Sequence, residues 1–188
     1  MNTDLQYELA REILELLRRL NRKLVCAESC TSGLVVATLG GIPGASNHLC
    51  GSAVVYRSEA KIAWLGVSEA VLSDPQQGDV CAETALQMAR GVLMQTPIAS
   101  VAVSVTGHLG PGSPPELDGV VYIGWAERET HSSQKIQVRA HRIDLQEPTP
   151  VNASDMTRRV ARQKESAREV LLVIREALLQ IDSRSSSH

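Results

Sequence analysis

The stretch "KLVCAESCTSGLVVATLG", residues 23–40, decides the fold class. Residues 23–29 read as a short apolar strand and "SCTSG" as a turn of small residues. Residues 32–39 resume a helical pattern, which Gly40-Gly41-Ile42-Pro43 stops. A strand, a tight turn and a helix in so few residues belong to layered α/β domains, where loops at strand ends expose backbone amides to ligands.

The flanking sequence keeps to that plan. Leu5, Leu9, Ile13, Leu16, Leu17 and Leu20 recur at helical spacing over 4–20, with Thr3 or Asp4 as cap. "GSAVVY" (51–56) is a second strand and "SEAKIAWLG" (58–66) a short helix closed by glycine. Residues 81–95 form a helix with Val80, Ala85, Met88, Ala89 and Val92 on one face. "IASVAVSVTG" (98–107) is apolar enough for a strand covered on both sides. "GVVYIGWAE" (119–127) and "QKIQVRAHRIDL" (134–145) read as a hairpin, and the prolines of "QEPTPVNASD" (146–155) make a loop. The last helix, about 153–181, carries Met156, Val160, Ala167, Leu171, Ile174, Leu178 and Ile181 on its apolar face, with Asn152 or Ser154 as cap. We therefore expect one α/β domain over 1–182, a central mixed sheet flanked by helices, with 183–188 as a disordered tail.

Composition excludes several function classes. With 188 residues, 43% hydrophobic and a net charge of −2, the chain is long enough for a real core and lacks the basic balance of a nucleic-acid or anionic-membrane binder. There is no Phe, and two Trp and three Tyr are too few for base-stacking platforms. No apolar run reaches membrane-spanning length and the N-terminus is charged and amphipathic, so a cytoplasmic location is expected. Cys26, Cys30, Cys50 and Cys81 are expected to stay thiols, and no His, Cys, Asp or Glu cluster has ligand spacing, so no metal is expected. Arg158, Arg159, Arg162, Lys164 and Arg168 read as a solvated helix face, from which one arginine can turn to an anion. His108, alone in its loop, reads as exposed or satisfied.

Small and polar residues concentrate in "AESCTSG" (27–33), "PGAS…GSAVVYRSEAKIAWLGV" (43–67) and "VAVSVTGHLGP" (101–111), with "VCAETALQMARGVL" (80–93) between the last two. In that order they resemble AESCTGG, PGSS…GGVVSYSNEAKxxLLGV, LAVTGIAGP and VSEETAxxMAxGxx of the CinA C-terminal domain family, which includes nicotinamide mononucleotide deamidases. The resemblance implies hydrolysis of an amide to acid and ammonia without cofactor or metal, on a small nucleotide substrate. A homo-oligomer is expected, with neither nucleic acid nor membrane as partner.

Carried over by position, the family's catalytic serine falls on Ser46, its tyrosine on Tyr56 and its lysine on Lys61. The implied chemistry is a serine nucleophile activated by a lysine base of depressed pKa. Ser29, Thr31, Gly33, Thr106 and Gly107 would bind the substrate and its phosphate, helped by Arg159 or Arg162. On residue types alone, Ser46 reads as a turn residue, Tyr56 as a strand-end ring and Lys61 as a surface charge, against the catalytic reading. Ser32, Ser58, His108 and the 112–115 stretch depart from the family pattern. They leave a second reading open: a paralogue that binds a pyridine nucleotide or related phosphorylated ligand without turning it over.

Overall fold

The structure is a computed structural model that describes residues 3–129, 132–146 and 152–185. Five strands, β1 (Leu24–Glu28), β2 (Leu49–Val54), β3 (Val101–Gly107), β4 (Val120–Glu129) and β5 (Ser132–Asp144), form one sheet in the order β2-β1-β3-β4-β5. β1 pairs in parallel with β2 and β3, while β4 runs antiparallel to β3 and β5, so the sheet is mixed as expected. The helices are α1 (Thr3–Arg19), α2 (Leu34–Gly40), α3 (Ser58–Leu65), α4 (Glu69–Ser73), α5 (Ala82–Gln95) and α6 (Asp155–Ser185).

Strand alternation sorts side chains between two cores. Leu24, Cys26, Val101, Val103, Val105, Ile123 and Trp125 face α1, α2 and α6. Val25, Ala27, Ala102 and Ala126 face α5 and α3. The second face is built of smaller residues because α5 lies closer to it. A Cβ on Gly124 would sit 2.3 Å from the carbonyl oxygen of Ala85, and the Ser104 hydroxyl donates to that same carbonyl at 2.6 Å. Gly91 lets α5 meet α3 equally closely, since a Cβ there would lie 2.0 Å from the Leu65 oxygen.

Several expectations are adjusted. β2 ends at Val54, so Val55 and Tyr56 lie beyond the ladder. The short helix α4 adds to the expected elements. Helix α6 runs to Ser185, into the stretch expected as tail from 183, and residues 186–188 lie outside the described residues. Half of the expected loop, 147–151, also lies outside them, but Ser154 is seen to cap α6 by accepting from the Thr157 amide at 3.1 Å. Met156 and Val160 are exposed rather than part of the apolar face of α6, while Ala167, Leu171, Ile174, Leu178 and Ile181 are buried. At 31 residues the helix is about 46 Å long. Its first turns therefore overhang the sheet and carry Arg159 and Arg162 to the C-terminal ends of the strands. Among the described residues no helix is long and apolar enough to cross a membrane.

Candidate functional site at the strand ends

Parallel β1, β2 and β3 deliver their loops to one edge of the sheet, where ligands bind in open α/β folds. A cavity of about 200 Å³ opens there. Ser29 and Cys30 follow β1, Tyr56 and Lys61 follow β2, Asp79 precedes α5, Thr106 and Gly107 end β3, and the loop through Ser113 follows it. Arg159 of α6 closes the wall.

Lys61 is 2% exposed, and a buried lysine needs a partner. That partner is Asp79, whose Oδ1 is 2.6 Å from Nζ. Ser58 donates its hydroxyl to both Asp79 oxygens at 2.9 and 2.8 Å, which gives this family departure a role. Burial pushes the Asp79 carboxyl up. The hydrogen bonds from Lys61 and Ser58 and the Lys61 charge outweigh it and hold the group below its usual range. The Thr106 hydroxyl anchors the same loop by donating to the Asp79 carbonyl at 2.7 Å. Sequence reasoning missed Asp79. The available signal was the lysine that the resemblance places in the site, since a lysine buried in a site demands a carboxylate nearby.

The two arginine candidates part company. Arg159 donates to the Gly110 carbonyl at 2.5 Å and to the Tyr56 hydroxyl, so it stands at the cavity wall without a carboxylate partner among the described residues. Arg162 makes a paired bond to Asp118, 2.8 Å to each oxygen, and lines a neighbouring cavity instead. That hydrogen bond is the main reason the Asp118 carboxyl lies below its usual range. Arg162 clamps the Gly110–Gly119 loop and is not placed to meet a ligand in the first cavity.

The "AESCTSG" motif serves a different purpose from the expected anion cradle. Glu28, 1% exposed, accepts from the Thr31 hydroxyl and the Gly33, Val35 and Val36 amides at 2.8–3.1 Å, and from Ser52 at 3.2 Å. The carboxylate thereby takes up the first-turn donors of α2. Thr31 and Gly33 are consequently spent within the protein, whereas Ser29, Thr106 and Gly107 do line the cavity.

Ser46 is the largest departure. It lies exposed on a 3-10 turn, Ala45–Asn47, before β2, whereas Tyr56 follows the strand. The six residues of β2 alone span about 20 Å. Within one chain, then, Ser46 stands at the far edge of the sheet from Lys61. Of the hydroxyls that share the cavity with Lys61, that of Ser29, 7% exposed, makes no hydrogen bond to any described residue. Cys30 beside it is inert, its thiol pushed up to about 12 by burial. All four cysteines are free thiols. Cys26 and Cys30 are buried, and the half-buried Cys81 caps α5 by accepting from the Thr84 amide.

Comparison with known proteins agrees with this architecture. A solved CinA-superfamily protein from Klebsiella pneumoniae superposes with a TM-score of 0.78 at 22% identity, covering 96% of this chain and 99% of that one, a likeness of fold alone. The competence/damage-inducible protein CihA from Agrobacterium tumefaciens reaches 0.75 at 32% identity over 95% and 96% of the two chains. A putative competence-damage inducible protein of Caldicellulosiruptor bescii is 37% identical over 81% of this chain and 38% of its own length. A CinA-like protein of Geobacter metallireducens is 38% identical over 78% and 35%. The chain thus spans little more than a third of these curated relatives. Residues 6–161 match the model of the CinA C-terminal domain, and to that family the chain belongs.

Proposed function

We propose that the chain is an amidohydrolase that deamidates nicotinamide mononucleotide to nicotinic acid mononucleotide and ammonia. One observation carries the reading: at the strand ends the Ser29 hydroxyl, with no hydrogen bond to any described residue, shares a small polar cavity with the buried Lys61, its half-exposed partner Asp79 and the guanidinium of Arg159. A nucleotide needs such a cation for its phosphate, and amide hydrolysis needs such a hydroxyl. In this scheme Ser29 takes the nucleophile's part that the resemblance gave to Ser46. Lys61 supplies fixed positive charge, and Tyr56 steadies Arg159.

The test is ammonia release from nicotinamide mononucleotide by the purified chain. Ser29→Ala should lose several orders of magnitude in turnover, with Ser46→Ala close to wild type. The reverse pattern would assign the nucleophile to Ser46, reaching the cavity from a second copy. That case is settled by restored turnover when Ser46→Ala and Lys61→Met chains are mixed. A binding-only reading has one observation in its favour, the Lys61 ammonium tied to Asp79. Tight nucleotide binding with no ammonia from the wild-type chain would establish it.

A further inference from the structure

Once the ion pairs and hydrogen bonds are assigned, the polar groups of the cavity fall into two sets. Lys61 and Ser58 are bound to Asp79, Thr106 to the Asp79 carbonyl, and Arg159 to Gly110 and Tyr56. The Ser29 hydroxyl and the His108 imidazole make no hydrogen bond to any described residue, although both line the cavity. The backbone of His108 is pinned at the mouth of the β3–β4 loop: its amide donates to Val120 and its carbonyl accepts from Gly119, both at 2.9 Å. These bonds fix the Cα of His108 at the cavity wall, and its ring nitrogens have no hydrogen-bond partner among the described residues.

A serine attacks an amide only if something takes its proton, and the leaving nitrogen needs one back. Lys61 is poorly suited, because its ammonium proton is already committed to a carboxylate 2.6 Å away. We propose that His108 carries the proton in this cavity, as acceptor from Ser29 and donor to the leaving nitrogen. This rests on the amidohydrolase reading given above. As the bond from Ser29 Oγ to the carbonyl carbon forms, the hydroxyl proton passes to the imidazole. It then passes to the nitrogen as the C–N bond breaks and ammonia leaves. Water next gives a proton to the imidazole as it attacks the acyl carbon, and that proton returns to Ser29 as the ester bond breaks. The sum is amide plus water to acid plus ammonia.

The charges around His108 suit this role. Burial lowers its pKa, Asp79 raises it, Lys61 lowers it and Asp118 raises it, with a net shift below the ordinary value. The ring is therefore neutral, and able to accept, at neutral pH.

Two readouts test the assignment. The first is labelling of Ser29 by a fluorophosphonate, followed by mass spectrometry, which needs no knowledge of the substrate. Labelling should rise with pH through an apparent pKa below about 6.5. It should fall by about 10²-fold or more in His108→Ala and His108→Gln, while the thermal midpoint of each variant stays near wild type. The second is kcat for ammonia release, which should fall in parallel with little change in KM and recover partly with added imidazole. Labelling that ignores His108, or does not occur on Ser29 at all, overturns the proposal whether or not the nucleotide is hydrolysed. His108-dependent labelling without any ammonia release upholds the serine–histidine pair and defeats the amidohydrolase reading instead.

Discussion

Replacing Glu28 by Gln puts the reading of the "AESCTSG" motif at risk, because it removes one charge and almost no volume. The carboxylate accepts five hydrogen bonds: two on Oε1, from the Val36 amide and Ser52, and three on Oε2, from Thr31, Gly33 and Val35. A glutamine can keep its carbonyl on the three-donor side, and its amide can donate to a turned Ser52 hydroxyl. The Val36 amide is then left facing an NH₂ group. An orphaned buried donor costs about 1–3 kcal/mol, and three bonds falling from charge-assisted to neutral lose about 1 kcal/mol each. Relief of the buried charge's desolvation offsets part of the sum, which leaves about 3 kcal/mol. For a chain of this size that lowers the thermal midpoint by about 6–12 °C, measured by circular dichroism or calorimetry. Glu28→Asp, one methylene shorter, should also be destabilising. A Glu28→Gln midpoint within about 2 °C of wild type would mean that the carboxylate is not the cap of α2, and that the motif's amides are open to a ligand after all.

Arg159→Ala should raise KM about 10- to 100-fold, the loss of a hydrogen bond to a charged group. Arg162→Ala should leave KM nearly unchanged but lower the thermal midpoint by freeing the Gly110–Gly119 loop; the opposite assignment of effects would reverse their roles. Gly91→Ala drives a methyl into the Leu65 carbonyl oxygen and should cost about 2–3 kcal/mol or more in urea melts, a prediction that a neutral result would sink. Asp79 and Asp118 are held below their usual range in the folded chain, so their contribution is present above the unfolded pKa and is lost as pH falls through the folded one. Unfolding midpoints should therefore drop below about pH 4. His108, also lowered, adds a smaller loss that begins as pH falls through about 6.5. Stability flat from pH 7 to pH 3 would contradict both.

The elements of this chain are written locally. Periodicity placed β1, β3 and α5 with their buried faces, and Gly66 and Ser154 closed and opened helices where expected, because each depends on the spacing of a few neighbouring residues. The polar motifs were equally visible as places where chemistry or capping must occur. Which of the two each one does was decided by the tertiary structure alone. Glu28 turns inward to meet the first turn of α2, so a motif that reads as an open cradle is filled from within. Lys61 finds Asp79 eighteen residues away, and Arg162 finds Asp118 forty-four away. Nothing in the intervening spacing encodes either pairing. Ser46, Tyr56 and Lys61 look like neighbours along the chain, but an extended strand separates the first from the other two. The same strand brings Tyr56 and Lys61 to the edge where β1 has left Ser29 and β3 has left His108. Proximity in a parallel sheet is set by which ends of the strands residues occupy, and that becomes defined only once the strands have paired.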